Sequence, residues 1–312
     1  MLTAGGGRQR PSRPGVATGC GTLALMKAMP PLQASGLLFQ RLDALAMSLA
    51  RRDDALALLA LGSVGRETER LDPWSDLDFF VLVREGGAKA RYIGELDWLA
   101  EAHPLVWHFQ NTVDGHKALM ADGVYCEFAV FEVRELSGIA FAPGRFHWRR
   151  DEVDCALAEP RCALPGERGE DWLVGEALSN LLIGLQRDAR GECLAAMRLI
   201  QVHALDRLLE LRERRVASGG AVRRDPFNID RRIEQRQDGC AAWLPGLAAG
   251  YAANAASALA ILAELDRCAE LPLPLVTAIR ALAARNHRQG PGTGSPGAWD
   301  GSWPPMPPMP PL

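Results

Sequence analysis

The chain has 312 residues, of which 48% are apolar and 23% charged, and its net charge is −3. That is ordinary globular usage for roughly two domains, and it excludes a chain kept unfolded by charge and a poverty of apolar groups. The mild acidity also argues against gripping nucleic acid by bulk charge, so nucleic acid is not an expected partner, whereas locally charged small substrates remain open.

Seven cysteines (Cys20, Cys126, Cys155, Cys162, Cys193, Cys240 and Cys268) form no C-x-x-C pair and are odd in number. They read as reduced thiols in a cytosol rather than a disulfide scaffold. No run reaches the length of about 18 apolar residues that a membrane helix needs. The nearest, residues 252–265, is interrupted by Asn254, Ser257 and Glu264. The N-terminal segment carries Arg8, Arg10 and Arg13 and is too weakly apolar for a signal peptide. The expectation is a cytoplasmic protein with no membrane partner.

In chain order, residues 1–30 are rich in Gly, Pro and Arg and read as a disordered leader, with Met26 or Met29 as alternative starts. Leu37, Leu38, Leu42, Leu45 and Leu49 recur at helical spacing. Apolar runs at 55–62 and 77–83 predict buried strands, the first ending in glycine. Residues 90–100 predict an amphipathic helix, and 105–112, 117–120 and 124–131 predict further strands. Pro160 and Pro165 then break the pattern. Beyond them the texture is helical, with segments expected at 172–190, 192–213, 231–237, 249–267 and from Pro274 to about Arg285. The organisation expected is a mixed helix–strand domain at 31–150, a helical domain at 160–287, and a Pro/Gly-rich disordered tail at 288–312.

The chemistry concentrates in residues 61–83, LGSVGRETERLDPWSDLDFFVLV. Asp76 and Asp78 are two apart on an extended chain, so their carboxylates share a face. Two adjacent carboxylates repel unless they are solvated, protonated or bridged by cations. The apolar FFVLV that follows is no solvated loop, and hard cations such as Mg²⁺ take oxygen ligands of this sort together with substrate phosphates. Gly62 lets backbone approach a ligand closely, and Ser63 offers a hydroxyl and an N–H to a phosphate. Trp74, just before Ser75-Asp76, is placed either to stack on a base or to pack on the loop. The histidines at 103, 108, 116, 147, 203 and 287 show no metal-ligand spacing. His108 and His116 meet only if a hairpin joins them, and a partly exposed strand histidine is the simpler expectation.

Leu61-Gly62-Ser63, twelve intervening residues, then Asp76-Leu77-Asp78-Phe79 resembles the signature of the nucleotidyltransferase superfamily. The family's third carboxylate lies on a later strand. Glu127 in YCEFAVF matches best, since alternation puts Glu127, Ala129 and Phe131 on one face, and Asp122 in its Asp-Gly turn is the second choice. A catalytic half followed by a helical half is most similar to the aminoglycoside and lincosamide adenylyltransferases, with residues 176–192 and 225–234 similar to helical segments of the lincosamide type. The resemblance spans about residues 35–285. It implies an α+β fold, with an N-terminal mixed sheet flanked by helices and a C-terminal helical bundle. It also implies AMP transfer from ATP to a hydroxyl of a small molecule. Asp76 and Asp78 would hold Mg²⁺, Glu127 would complete the metal site or act as base, and Gly62 and Ser63 would seat the β/γ-phosphates. Arg66 is a candidate phosphate contact, Lys89 and Arg84 lesser ones, and Arg190, Glu192, Arg231 and Arg232 candidates on the helical half. Alternatives that keep the motif are a protein-modifying, antitoxin-type enzyme and a catalytically silent nucleotide-binding scaffold. An RNA-tailing polymerase is disfavoured by the lack of a basic stripe. An oligomer is compatible with the sequence.

Overall fold

The computed structural model of the protein describes residues 31–162, 168–215, 224–225, 227–237 and 239–289. The expected leader, and the expected tail from 290 onward, lie outside them, as do Cys20 and Pro165. The chain forms two compact units that meet in sequence at Arg161 and Cys162.

The first unit is an α+β structure. It runs α1 (Pro31–Ala50), β1 (Ala55–Ala60), β2 (Leu77–Val83), α2 (Ala88–Gly94), α3 (Asp97–Ala100), β3 (Leu105–Gln110), β4 (Gly115–Met120), β5 (Tyr125–Glu132) and β6 (Arg145–Arg149). The strands make one six-stranded sheet in the order β3-β4-β5-β2-β1-β6. It is mixed, because β2 and β5 pair in parallel while the other neighbours are antiparallel. Ala and Leu are poor strand formers, yet β1 is ALALLA and buried at every position. It lies between β2 and β6, where packing on both faces overrides intrinsic preference.

One sheet face carries Leu77, Phe79, Val81 and Val83 of β2 with Cys126, Phe128 and Val130 of β5, packed against α1, α2 and α3. Phe79 stacks on Phe128 at 5.2 Å, and Trp98 meets Phe128 edge-on at 5.2 Å. The opposite face is divided. Leu82, Phe131, Phe141 and Leu157 form a smaller cluster at one end. The other end is left to Asp78 and Glu127.

The helix expected at 90–100 is two helices, because the chain leaves helical geometry after Gly94 and Glu95 is extended. β6, sequence RFHWR, was not legible as a strand, since its two apolar positions are too few to declare a period. His116 is buried, contrary to the expectation of an exposed strand histidine, and its ring stacks on Phe128. His108 across the hairpin is exposed, the two rings 6.2 Å apart. Burial holds the His116 imidazole below its ordinary value of 6.5. The neutral ring therefore stabilises the fold above pH 6.5, and that stability fades as pH falls through the lowered value. His116→Phe should accordingly flatten the decline in melting temperature as pH falls below 6.5; an unchanged profile would refute the assignment.

The second unit is helical: α4 (Glu170–Ala189), α5 (Cys193–Arg198), a π-helical turn at Leu199–Ala204, α6 (Leu205–Glu213), α7 (Ile233–Arg236), α8 (Cys240–Leu247), α9 (Asn254–Cys268) and α10 (Leu273–Gln289). Leu178, Leu181, Leu185, Ile200, Leu208, Ile261 and Ile279 are among its buried core. The single helix expected at 192–213 is interrupted by the π turn, and α10 extends into what was expected to be tail. α8 carries Pro245 and was not foreseen. Gly250, at φ +96°, delays α9 to Asn254.

Gln201 on the π turn joins a buried polar network. Its amide donates to the Gly250 carbonyl and to Asn254 Oδ1, both at 2.8 Å, and its own oxygen accepts from the Gly250 N–H at 2.8 Å. Asn254 Nδ2 donates to Asp188 at 2.9 Å and to the Cys193 carbonyl at 3.0 Å, and Asn286 Nδ2 donates to the Leu185 carbonyl at 2.8 Å. Among the described residues no single helix is long and apolar enough to cross a membrane.

Candidate active site

The parallel register sets Asp78 directly opposite Glu127 on adjacent strands. Their side chains share the face not covered by the helices, since 79 and 128 are buried on the other. Register extends the row: Glu127 is opposite Lys117 on β4, and Lys117 is opposite Phe109 on β3. On the other side of Asp78, the Leu61 N–H donates to the Asp78 carbonyl at 2.8 Å, which brings the turn after β1 alongside. Asp76, half-buried, precedes β2 by one residue. Burial, with the charges of Asp122, Asp76 and Asp78 nearby, pushes the Cys126 thiol up to about 12, so this cysteine is inert.

Gly62 adopts φ +52°, a conformation costly to residues with a Cβ. A Cβ there would meet Arg70 Nη2 and Asp78 Oδ2, each at 3.5 Å. The glycine therefore sits against the carboxylate, with Ser63 buried next to it in the short 3₁₀ turn Gly62–Val64. The turn is braced from β6: Arg145 donates to the Gly65 carbonyl at 3.0 Å and to the Val64 carbonyl at 3.1 Å. Gly65 has no room for a side chain, because a Cβ would lie 2.6 Å from the Ala60 carbonyl oxygen. Gly65→Ala should cost about 1–3 kcal/mol in folding stability, as overpacking against backbone does. It should also disturb the Gly62-Ser63 turn. A melting curve equal to wild type would contradict this.

Arg66 is not beside the carboxylates' turn as a free cation. It donates to the Gly144 carbonyl at 2.7 Å and pairs with Glu159 at 2.5 Å, which ties the turn to the segment around β6. The arginine that flanks Gly62 and Asp78 is Arg70, turned back by the 3₁₀ turn Thr68–Arg70 and paired with Glu67. Nothing in the sequence separates these two arginines, since spacing alone does not reveal which one the loop folds inward.

Several of the other candidates have structural partners. Asp122 accepts from Arg41 at 2.7 Å and from the Val124 N–H at 3.2 Å, holding the β4–β5 turn. Lys89 bridges Asp114 at 2.7 Å and Glu135 at 2.6 Å. Arg84 pairs with Glu152 at the far end of β2, where a cavity of about 470 Å³ opens away from the carboxylates. Glu192 pairs with Arg187 rather than Arg190, and Arg231 with Asp225. Arg232 takes a left-handed conformation before α7. Trp74 is 91% exposed, so it does not pack on the loop.

Glu127 is already engaged. Its Oε2 lies 3.1 Å from Lys117 Nζ, and its Oε1 accepts from Asn111 at 3.5 Å. The carboxylate in turn raises the Lys117 pKa. Among the described residues, no three His, Cys, Asp or Glu side chains converge in a grouping able to hold a metal ion. The donor chemistry of Asp76 and Asp78 suits a hard cation, while Glu127 is drawn toward β4.

No family model matches the chain, and no curated protein matches it. Among solved structures it is similar to an aminoglycoside 6-adenyltransferase from Bacillus subtilis, 13% identical over 78% of this chain and 91% of that one, with a TM-score of 0.28. A likeness at that level decides nothing about activity, so the chemistry of this chain rests on its own residues.

Proposed function

We propose that the protein is a Mg²⁺-dependent nucleotidyltransferase that moves AMP from ATP to a hydroxyl of a small molecule, with aminoglycoside and lincosamide antibiotics as the first acceptors to try. The observation that carries this reading is the in-register pair Asp78 and Glu127 beside the Gly62-Ser63 turn.

Asp76 and Asp78 are the residues that would hold Mg²⁺. The ion would supply charge neutralisation at the α-phosphorus and on leaving pyrophosphate. The chain's own work is placement. Gly62 lets the backbone come close to a phosphate, Ser63 offers its N–H, and Arg70 adds positive charge beside them. Glu127 lies one strand spacing, about 4.8 Å, from Asp78, within reach of an acceptor hydroxyl held over the row. A cytoplasmic setting follows the reading, since ATP and Mg²⁺ are there.

The test is pyrophosphate release with ATP and Mg²⁺ against a panel of aminoglycosides and lincosamides. Acceptor-dependent release supports the reading. Labelled AMP appearing on a protein instead would move the target to a polypeptide, and nucleotide binding without turnover on any acceptor would favour the silent scaffold.

A further inference from the structure

We propose that Lys117 is a built-in counter-cation of the acid row. It positions Glu127 when no metal is bound and weakens the grip of the neighbouring carboxylates Asp76 and Asp78 on a divalent cation. The inference rests on the reading of the row as a cation site.

Register puts Lys117, Glu127 and Asp78 side by side on β4, β5 and β2. The ammonium is 3.1 Å from one Glu127 oxygen, and Asn111, in the turn after β3, reaches the other at 3.5 Å. Both oxygens are thus held from the β3–β4 side. A divalent ion held by Asp76 and Asp78 would sit one strand from this ammonium and feel its positive charge, and could recruit Glu127 only by drawing it away from Lys117.

The residue type fits such an exchangeable role. The chain has three lysines against 32 arginines. An arginine would clasp both carboxylate oxygens with its planar fork, whereas a lysine is a point charge on a flexible stem. Lys117 is also partly exposed, so its ammonium can move into solvent when displaced.

The experiment is Mn²⁺ titration of the full chain without nucleotide, read by the loss of the free-ion paramagnetic resonance signal. Lys117→Met should tighten Mn²⁺ binding about three- to tenfold at low salt, with the difference shrinking as salt screens the charge. Lys117→Arg, which keeps the charge, should stay at or weaker than wild type. Lys117→Gln, with its melting curve, provides a second neutral variant in case the methionine variant misfolds. Unchanged or weaker binding in folded, neutral variants overturns the role of Lys117, while loss of Mn²⁺ binding in Asp78→Asn would still uphold the carboxylate site. If Asp78→Asn binds Mn²⁺ like wild type, the cation reading of the row falls and this inference falls with it.

Discussion

Replacing Asp78 with asparagine is expected to lower AMP transfer by about 10²–10³-fold or more, the scale on which one preorganised electrostatic group acts on a developing charge. The fold should survive. The side chain is only half-buried, and the substitution leaves intact the Asp78 backbone carbonyl that accepts from Leu61. Asparagine keeps the shape and removes one negative charge from a row that also holds Asp76 and Glu127. The melting temperature should therefore move by no more than about 4 °C, equivalent to about 1 kcal/mol in a domain of this size. Asp122→Asn is the matched control. It breaks the pair with Arg41 at the β4–β5 turn but leaves the row intact, so it should lower stability and spare transfer. Transfer retained in Asp78→Asn, or lost equally in Asp122→Asn, would contradict the assignment of the acids.

The largest effect on stability is expected from Asn254→Ala in the helical unit. Asn254 is 2% exposed and serves Asp188, the Cys193 carbonyl and Gln201 at once. Truncation takes one partner each from the Asp188 carboxylate, which keeps Asn286, from the Cys193 carbonyl, and from the Gln201 amide, which keeps the Gly250 carbonyl; a buried polar group left wholly unpaired costs about 1–3 kcal/mol. Neighbouring groups relax and share the loss, so the net cost is about 3 kcal/mol, visible as a drop in melting temperature of roughly 10 °C. Far-UV circular dichroism reports it directly, because this unit is helical. A drop under about 2 °C would mean that the network contributes little to folding.

These two residues also mark what could be read from the sequence. Asp78 was legible because strand periodicity is a local property: LDFFVLV and YCEFAVF each declare which residues share a face. The faces of β2 and β5 follow that alternation. The pairing of one strand with the other was not legible, because period identifies a face but not a partner. Lys117 beside Glu127 is hidden for that reason. Arg66 and Arg70 look alike in sequence, and only the fold of the loop distinguishes the one that ties it down from the one that turns toward Gly62. Asn254 appeared as a mere interruption of an apolar run, although it is the hub of a polar network. The π turn at Leu199–Ala204 leaves no mark on a helical pattern that continues through it.

The parallel pairing of β2 with β5 has a consequence for how the protein is made. A hairpin can close as soon as its second strand leaves the ribosome, but β2 must wait while α2, α3, β3 and β4 are synthesised before its parallel partner exists. Closing that loop is a non-local step, of the kind that slows folding relative to local hairpins. Asp78 and Glu127 are therefore strangers in the nascent chain, and no fragment ending before Tyr125 contains the pair. The two acids come side by side only when β5 joins β2, the pairing at the centre of the first unit's sheet.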